Sequence, residues 1–196
     1  MIVWLNGTFG AGKTTTSRLL TEMLPGARIF DSEYVGYMLR PFLTDKPVRD
    51  FQEHPPWRSL VVQTAVQLLD YVGGTLVVPQ SVLVEAYWTE LSGGLAEAGV
   101  PVHHFVLHAD PEELVRRIEQ DTEGAPARQW RLDHVSAYEA ALSWLREAGE
   151  VVDTAGTPPA DVARRIAARV AGAAHPAEAA NAAEVAHPAE AANAAG

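Results

Sequence analysis

The sequence predicts an α/β domain built on a parallel β-sheet. Short runs rich in β-branched and other apolar residues alternate with longer segments of helical periodicity, which is typical of consecutive βαβ units. A chain of 196 residues, 47% of them hydrophobic, is long enough for one sizeable core and too short for two. We therefore place one domain at residues 1–172. Its predicted strands lie at about residues 2–6, 28–31, 75–79, 102–108 and 150–153.

The first strand leads directly into a phosphate-binding loop. Residues 7–14 read GTFGAGKT, which fits the pattern G-x-x-x-x-G-K-[ST] in the right place, between an apolar strand and a helix. The glycines let the backbone wrap around phosphate oxygens, Lys13 reaches the β and γ phosphates, and the Thr14 hydroxyl can bind Mg²⁺. Thr15 and Thr16 open a helix whose N-terminus favours anions. The predicted nucleotide-binding residues are Gly7, Thr8, Gly10, Ala11, Gly12, Lys13, Thr14 and Thr15.

Two carboxylates follow the second strand, in the segment FDSE at residues 30–33. Ligands of open parallel sheets bind beyond the carboxyl ends of the strands. Asp31 and Glu33 could there orient an acceptor hydroxyl, take its proton or hold water on Mg²⁺. Asp31 or Ser32 could equally cap the next helix. We predict Asp31 as a catalytic and metal-organising residue and Glu33 as a substrate contact, and the aromatic residues that follow as substrate-pocket candidates: Tyr34, Tyr37, Phe42 and Trp57.

The third predicted strand lacks the carboxylate that often organises Mg²⁺ in P-loop proteins. Pro79 is followed by Gln80 and Ser81, and Glu85 comes a few residues later. Gln80 is predicted to contact substrate or metal-bound water, although a polar residue that ends a strand fits it nearly as well. The missing carboxylate argues against a hydrolytic motor or a GTPase switch.

Three helices have clear sequence signals. Apolar residues recur at spacings of three and four from Trp57 to Val72, which predicts a helix with a core-facing stripe. Asp110-Pro111-Glu112-Glu113 predicts a helix start with Asp110 as N-cap and Glu113 in a capping box. Thr157-Pro158-Pro159 predicts the start of the last helix.

Arginines concentrate after the fourth strand in an otherwise acidic chain. Arg116 and Arg117 lie on the predicted helix, and we expect one of them to face solvent because adjacent helical residues point in different directions. Arg128 and Arg131 follow, in a segment at about residues 122–133 that we interpret as a lid. Arginines on a closing segment can neutralise a transferring phosphoryl group once the substrate is in place, so both are predicted to be catalytic.

Composition excludes several other classes. The absence of cysteine excludes disulfides, thiolate catalysis and Cys-based zinc sites. A formal net charge of -10 argues against a nucleic-acid partner. No apolar stretch approaches the roughly 20 residues of a membrane span, and no leader pattern is visible, so we expect a cytoplasmic protein without a membrane partner. His103, His104 and His108 have no metal-site spacing and are interpreted as structural.

The last part of the chain, residues 173–196, is a repetitive tail rich in alanine. The segment that begins at Ala174 recurs twelve residues later, and it has too few large apolar residues to build a core. We expect a disordered or intermittently helical tail. The alternatives are a docking peptide or a metal-binding tract containing His175 and His187.

Taken together, the phosphate loop, Asp31-Ser32-Glu33, Pro79-Gln80-Ser81 and the stretch RQWRLDH at 128–134 resemble the small P-loop kinases. The likeness is closest to the tunicamycin-resistance ATP-binding family and covers residues 1 to about 172. The resemblance implies a three-layer fold with strand order 2-3-1-4-5, ATP and Mg²⁺ at the loop, and a mobile lid. It also implies that residues 152–156 lie beside the adenine, with Thr154 in the nucleotide site, that Asp31 faces the acceptor hydroxyl, and that Arg128 and Arg131 clamp phosphates.

The function expected from this sequence is ATP-dependent phosphorylation of a hydroxyl on a small molecule, such as a nucleoside-like antibiotic or a related metabolite. Two alternatives stay open: an ATP-binding resistance protein that sequesters the drug unmodified, and a nucleoside monophosphate kinase. The expected partner is the small-molecule acceptor, and the expected assembly is a monomer or a homodimer.

Overall fold

All five predicted strands are present in the computed structural model, which describes residues 1–122 and 125–174. The strands are β1 (Ile2–Asn6), β2 (Ala27–Ile29), β3 (Thr75–Val78), β4 (Val102–His108) and β5 (Glu150–Asp153). The helices are α1 (Lys13–Met23), α2 (Glu33–Leu39), α3 (Pro55–Val72), α4 (Glu85–Glu97), α5 (Pro111–Gln120), α6 (Arg128–Ala148) and α7 (Pro159–Ala174). Short 3₁₀ turns lie at Arg40–Phe42, Phe51–Glu53 and Ala125–Ala127.

The strands form one parallel sheet in the order β2-β3-β1-β4-β5, which confirms the predicted architecture. β1 is the central strand, and its register places Val3 beside Val77 of β3 and His103 of β4. Because all strands run the same way, their carboxyl ends meet at one edge. The phosphate loop leaves β1 at that edge.

Helices cover both faces of the sheet. Side chains alternate along a strand, so Val3 and Leu5 of β1 pack in one core with residues of α1, α5, α6 and α7. Ile2 and Trp4 point to the other face and pack with residues of α2, α3 and α4. Such two-sided burial explains why β1 reads as an uninterrupted apolar run rather than as an alternating one.

Local details differ from the sequence predictions at two helix starts. α1 begins at Lys13 rather than at Thr15. Asp110 is the N-cap of α5 as predicted, but the capping box is wrong, because the Asp110 side chain accepts no cap hydrogen bond in the described structure. The Glu113 carboxylate instead accepts hydrogen bonds from Arg116 and Arg117. Two charge-assisted partners outweigh one backbone N–H for this side chain.

Parts of the predicted lid and tail lie outside the described residues, namely 123–124 and 175–196. The described part of the lid is the turn at Ala125–Ala127 and the beginning of α6. Within residues 1–122 and 125–174, no helix combines the length and the apolar character that a membrane crossing needs.

Candidate functional site

The phosphate loop has a backbone that only glycine adopts readily. Gly7 has φ 123°, Gly10 has φ 77° and Gly12 has φ 94°. A Cβ atom on Gly7 would lie 2.5 Å from the carbonyl oxygen of Leu107, so the loop also needs glycine for its close approach to β4. Gly12 ends the loop as the N-cap of α1, and Thr14 and Thr15 are exposed on the first turn of that helix. The peptide N–H groups of this turn are therefore available to an anion.

Lys13 projects from the first turn of α1 back into the loop. Its Nζ donates hydrogen bonds to the carbonyl oxygens of Gly7 (3.0 Å) and Thr8 (2.9 Å) and lies 5.5 Å from the centre of the Phe9 ring. Burial lowers the pKa of Lys13 to about 7, with attraction to Glu33 opposing the shift and repulsion from Arg131 adding to it. A nearby anion would restore the charged form of this side chain.

A cavity of about 910 Å³ opens beside the phosphate loop. Its walls come from the loop, the start of α1, residues 49–53, the end of β3 and the beginning of α6. The sequence-predicted site residues that line it are Thr8, Gly10, Gly12, Lys13, Thr14, Thr15, Glu33, Gln80 and Arg131. Lys13, Glu33 and Arg131 thus face one common space.

The two carboxylates after β2 have different positions. Glu33 lines the cavity, and its charge acts on Lys13. Asp31 is not part of the cavity wall, and its Oδ1 accepts a hydrogen bond from the backbone N–H of Glu33 (3.0 Å). Asp31 therefore fixes the first turn of α2, as the capping interpretation expected, and its catalytic and metal-organising role stays a prediction. Glu33 reaches the cavity.

The aromatic candidates after β2 do not reach the cavity in the described structure. Tyr34 and Tyr37 are 70% and 50% exposed, and Phe42 is also exposed. The Tyr37 hydroxyl donates to Glu33 Oε2 at 3.0 Å, so its contact with the site is indirect. The interpretation of Trp57 is wrong, because this side chain is fully buried in the core and donates from Nε1 to the Ser32 carbonyl oxygen. The apolar stripe of α3 already assigned it to the core.

Gln80 joins the ends of two neighbouring strands. Its Oε1 accepts a hydrogen bond from the Ser32 hydroxyl (2.8 Å), and its Nε2 donates to the Ser81 carbonyl oxygen (3.0 Å). The side chain is buried yet borders the cavity. The position that often carries a magnesium-organising carboxylate is therefore occupied by an amide that fixes the cavity wall.

The beginning of α6 packs directly on the phosphate loop. The Thr8 hydroxyl donates to the His134 carbonyl oxygen at 3.2 Å. The Phe9 ring lies 4.9 Å from the Trp130 ring and 5.4 Å from the His134 ring, measured between centroids. These contacts hold the beginning of α6 against the phosphate loop, next to the cavity.

Of the two lid arginines, Arg131 faces the site and Arg128 does not. Arg131 Nη2 lies 2.8 Å from Asp121 Oδ2, and the Arg131 side chain is only 13% exposed. Its Nη1 is buried without a hydrogen-bond partner among the described residues. Buried guanidinium nitrogens are normally paired, so this atom is suited to an anionic ligand. Arg128 is exposed at the start of α6 and does not line the cavity; its catalytic role stays a prediction.

A second cavity, of about 520 Å³, lies on the other side of the loop. Gly10, Ala11, Gly12 and Thr15 line it together with Arg117, Thr154 and residues 156–159. Arg117 Nη1 donates to the Gly10 carbonyl oxygen (3.1 Å) and to Thr154 Oγ1 (3.0 Å), and Nη2 donates to the Thr154 carbonyl oxygen (2.8 Å). The segment predicted to lie beside the adenine is thereby joined to the phosphate loop.

Arg116 is the arginine that faces solvent, which confirms that one of the two is exposed, although it also lies at the edge of the second cavity. It is exposed and pairs with Glu113 at 2.6 Å. Hydrogen bonds from Arg116 and then Arg117 lower the pKa of Glu113 to about 2. The sequence signal was the Arg116-Arg117 pair itself, but its spacing did not tell which member turns inward.

Sequence reasoning missed the cavity wall at residues 49–53. Asp50 Oδ1 accepts from the Gln52 N–H (2.9 Å), and Glu53 Oε1 accepts from the Asp50 N–H (3.1 Å), which makes a capping box. Gln52 Nε2 donates to the Ser81 carbonyl oxygen at 3.0 Å. Burial raises the pKa of Asp50. The pattern Asp50-x-x-Glu53 ahead of α3 was the available signal.

The residues fit a magnesium-bound nucleoside triphosphate. The loop supplies backbone donors, Lys13 a partly buried amine, and Arg131 a buried nitrogen that has no partner among the described residues. In residues 1–122 and 125–174, no three His, Asp or Glu side chains are grouped as metal ligands. A magnesium ion here would depend on phosphate oxygens and water for most of its ligands, with the Thr14 hydroxyl as the protein contribution.

Comparison with known proteins gives a consistent relationship. A family model described as AAA domain matches residues 3–139. The tunicamycin resistance protein of Deinococcus radiodurans is 32% identical, with a TM-score of 0.65, 87% of this chain covered and 95% of that chain. A sugar kinase from Janibacter sp. HTCC2649 is 19% identical, with a TM-score of 0.60 and coverage of 84% and 90%. A gluconokinase from Sinorhizobium meliloti 1021 is 19% identical, with a TM-score of 0.58 and coverage of 88% and 94%. The two kinases share the fold. A search of curated proteins finds no match.

Proposed function

Because the chain belongs to the AAA domain family of P-loop kinase-like proteins, we propose that it transfers the γ-phosphoryl group of ATP to a hydroxyl group of a small molecule. One observation carries the proposal: Lys13, Arg131 and Glu33 line the same cavity. Two cations that suit phosphate and one carboxylate that suits a hydroxyl proton are the groups that phosphoryl transfer requires.

In this reaction the acceptor oxygen forms a bond to the γ-phosphorus, and the bond from that phosphorus to the β–γ bridging oxygen breaks, which leaves ADP. Glu33 takes the hydroxyl proton. Lys13 and Arg131 hold the γ-phosphoryl oxygens and neutralise their charge. Mg²⁺, when bound with the nucleotide, supplies further neutralisation of the phosphates. Asp31 orients Glu33 through the turn that its carboxylate closes.

The charge of the remaining cavity wall favours an acceptor without negative charge. Apart from Lys13 and the paired Arg131 and Asp121, the described wall carries one positive residue, Arg49, and four carboxylates: Glu33, Asp50, Glu53 and Asp133. Like charges in a partly enclosed space repel an anionic ligand. A nucleoside monophosphate is therefore a poor fit, whereas an uncharged nucleoside-like compound is a good one. The relative named as a tunicamycin resistance protein supports an antibiotic among the acceptors.

The test is incubation of the purified protein with Mg-ATP and a panel of nucleosides, nucleoside antibiotics including tunicamycin, amino sugars and nucleoside monophosphates. We expect one uncharged or cationic acceptor to gain the mass of one phosphoryl group. Glu33→Gln should reduce turnover by about 100-fold or more while ATP still binds. Asp31→Asn, the matched control, should lose less. Binding of ATP with no product from any acceptor that also binds would contradict phosphoryl transfer.

A second candidate is capture of the drug without modification. The cavity favours it by its size and by apolar walls that include Phe9, Phe51, Leu83, Tyr87 and Trp130. Such walls can bury much of a drug-sized ligand. Protection of cells that survives Glu33→Gln, with the recovered drug unchanged in mass, would support capture over transfer.

A further inference from the structure

Asn6, the last residue of β1, is bonded to both loops that line the cavity. Its side chain is fully buried. Its Oδ1 accepts hydrogen bonds from the N–H of Gly7 (2.8 Å) and the N–H of Val82 (2.9 Å), and its Nδ2 donates to the Val82 carbonyl oxygen (3.0 Å). Gly7 opens the phosphate loop, and Val82 lies between the cavity-lining residues Ser81 and Leu83. One amide therefore connects the nucleotide side of the cavity with the acceptor side.

His104 of β4 fixes the orientation of this amide. Its Nδ1 lies 2.9 Å from the Ala148 carbonyl oxygen, which can only accept, so Nδ1 carries the ring proton. Its Nε2 is then an acceptor and receives the second Asn6 Nδ2 hydrogen at 3.3 Å. The ring stacks on Trp88 at 3.9 Å between centroids. Burial lowers the pKa of His104 to about 4, which agrees with a neutral ring.

The hydrogen bonds of the Asn6 side chain permit only one orientation of its amide group. Rotation of the amide by half a turn would place the NH₂ group against the two N–H donors of Gly7 and Val82. The amide therefore has one low-energy orientation. Because the N–H groups of Gly7 and Val82 share Asn6 Oδ1 as their acceptor, a displacement of Gly7 also displaces the hydrogen-bond partner of Val82. Residues 79–84 have no regular secondary structure, so side-chain bonds are needed to hold them.

We propose that Asn6, held by His104, is a positioning residue that couples the phosphate-binding loop to residues 81–83, of which Ser81 and Leu83 line the acceptor side of the cavity. Occupation of the loop by nucleotide orders Gly7, and the shared amide transmits that order to Val82. The proposal rests on the proposed phosphotransferase function, because it assigns the two sides of the cavity to nucleotide and acceptor. Such coupling means that a ligand bound at one site changes the binding free energy at the other site by the same amount in either direction.

The test uses amide hydrogen exchange and does not need a known acceptor. Mg-AMPPNP serves as the nucleotide probe, and the exchange rate of the Val82 amide reports opening of its bond to Asn6. In the unmodified chain we expect bound AMPPNP to slow this exchange by about fivefold or more. His104→Phe retains a ring for Trp88 but removes the acceptor for Asn6, so the effect should fall below about twofold. His104→Gln, which keeps an acceptor, should retain it.

Asn6→Asp provides an independent signature. The new side chain keeps an oxygen acceptor for the N–H groups of Gly7 and Val82, but it places a carboxylate against His104 Nε2. The His104 ring should therefore take up a second proton near neutral pH, and its ¹⁵N chemical shifts would show this. Trp88→Phe is the control for simple loss of packing, and it should leave the coupling intact. If the exchange response to AMPPNP is unchanged in His104→Phe, or absent from the unmodified chain that binds the probe, the coupling is wrong while the proposed function stands. Failure of the unmodified chain to bind the probe would overturn both.

Discussion

Arg117 and Thr154 form a direct bridge between two loops of the nucleotide site. Arg117 Nη1 lies 3.0 Å from Thr154 Oγ1, and Nη2 lies 2.8 Å from the Thr154 carbonyl oxygen. The same guanidinium reaches the Gly10 carbonyl oxygen at 3.1 Å. Thr154 is itself fixed by donating to the His108 carbonyl oxygen at 2.9 Å. The planar fork of arginine suits this set of acceptors, which lysine could not reproduce.

Loss of this bridge should weaken nucleotide binding. We expect Arg117→Ala to raise the Kd for Mg-ATP by about tenfold, because each hydrogen bond from a charged group contributes on the order of 1.5 kcal/mol or more. Arg116→Ala removes the same charge from the neighbouring, exposed position and should change the Kd by less than about twofold. Isothermal titration calorimetry measures both. Equal losses in the two variants would show that charge alone, and not the bridge, matters.

The contrast between these arginines also shows what the sequence could predict. Strand positions followed from apolar runs, and the phosphate loop followed from fixed glycine and lysine spacing, because both signals are local. The sequence could not show which of Arg116 and Arg117 points inward. Adjacent residues on α5 point in different directions around the helix axis, and only the packing of the helix in the fold decides which direction faces inward. Glu33 and Asp31 posed the same problem at the start of α2, where the sequence did not show which carboxylate lines the cavity. Residues 49–53 were missed because their role depends on a contact with Ser81, which is distant in sequence.

Nucleotide binding should take up a proton at Lys13. Its pKa is lowered to about 7 in the free protein, so the side chain is mostly neutral at pH 8. Phosphate oxygens favour the ammonium form and raise this pKa. We expect uptake of close to one proton per nucleotide at about pH 8 and almost none below about pH 6, where Lys13 is already charged. Affinity should fall as pH rises above the free-protein pKa.

Calorimetry in two buffers of different ionisation enthalpy measures this uptake. Lys13→Met is the matched control, since it keeps an unbranched side chain without a titratable group, and it should abolish the uptake at pH 8. Uptake that persists in Lys13→Met would assign the proton to the nucleotide or to another residue.

Arg131 should contribute more to turnover than Arg128. Arg131 has a buried nitrogen without a partner in the described structure, whereas Arg128 is exposed. We expect Arg131→Gln to lower kcat by about 100-fold or more, because a preorganised cation stabilises charge on the transferring group. Arg128→Gln should lower it by less than about threefold. Initial rates of ADP formation with the identified acceptor measure both, and a large loss in Arg128→Gln alone would mean that α6 moves when the substrates bind.

The packing around His104 leads to a prediction about stability. Gly149 follows α6, and a Cβ atom there would lie 2.6 Å from His104 Nδ1 and 2.9 Å from the His104 carbonyl oxygen. The His104 carbonyl oxygen belongs to the backbone of β4 and cannot move away as a flexible side chain can. Gly149→Ala should therefore lower the free energy of unfolding by about 1–3 kcal/mol. Displacement of the ring should also weaken its contact with Asn6 and reduce nucleotide affinity.

Gly93→Ala is the control for this substitution, because it adds the same methyl group where nothing lies within 4 Å, inside α4. Alanine is the better helix former, so this variant should be equal in stability to the unmodified chain or more stable by up to about 1 kcal/mol. Urea unfolding followed by tryptophan fluorescence measures both free energies. If Gly149→Ala were as stable as Gly93→Ala, the His104 ring would have room to move, and its fixed orientation against Asn6 would need another cause.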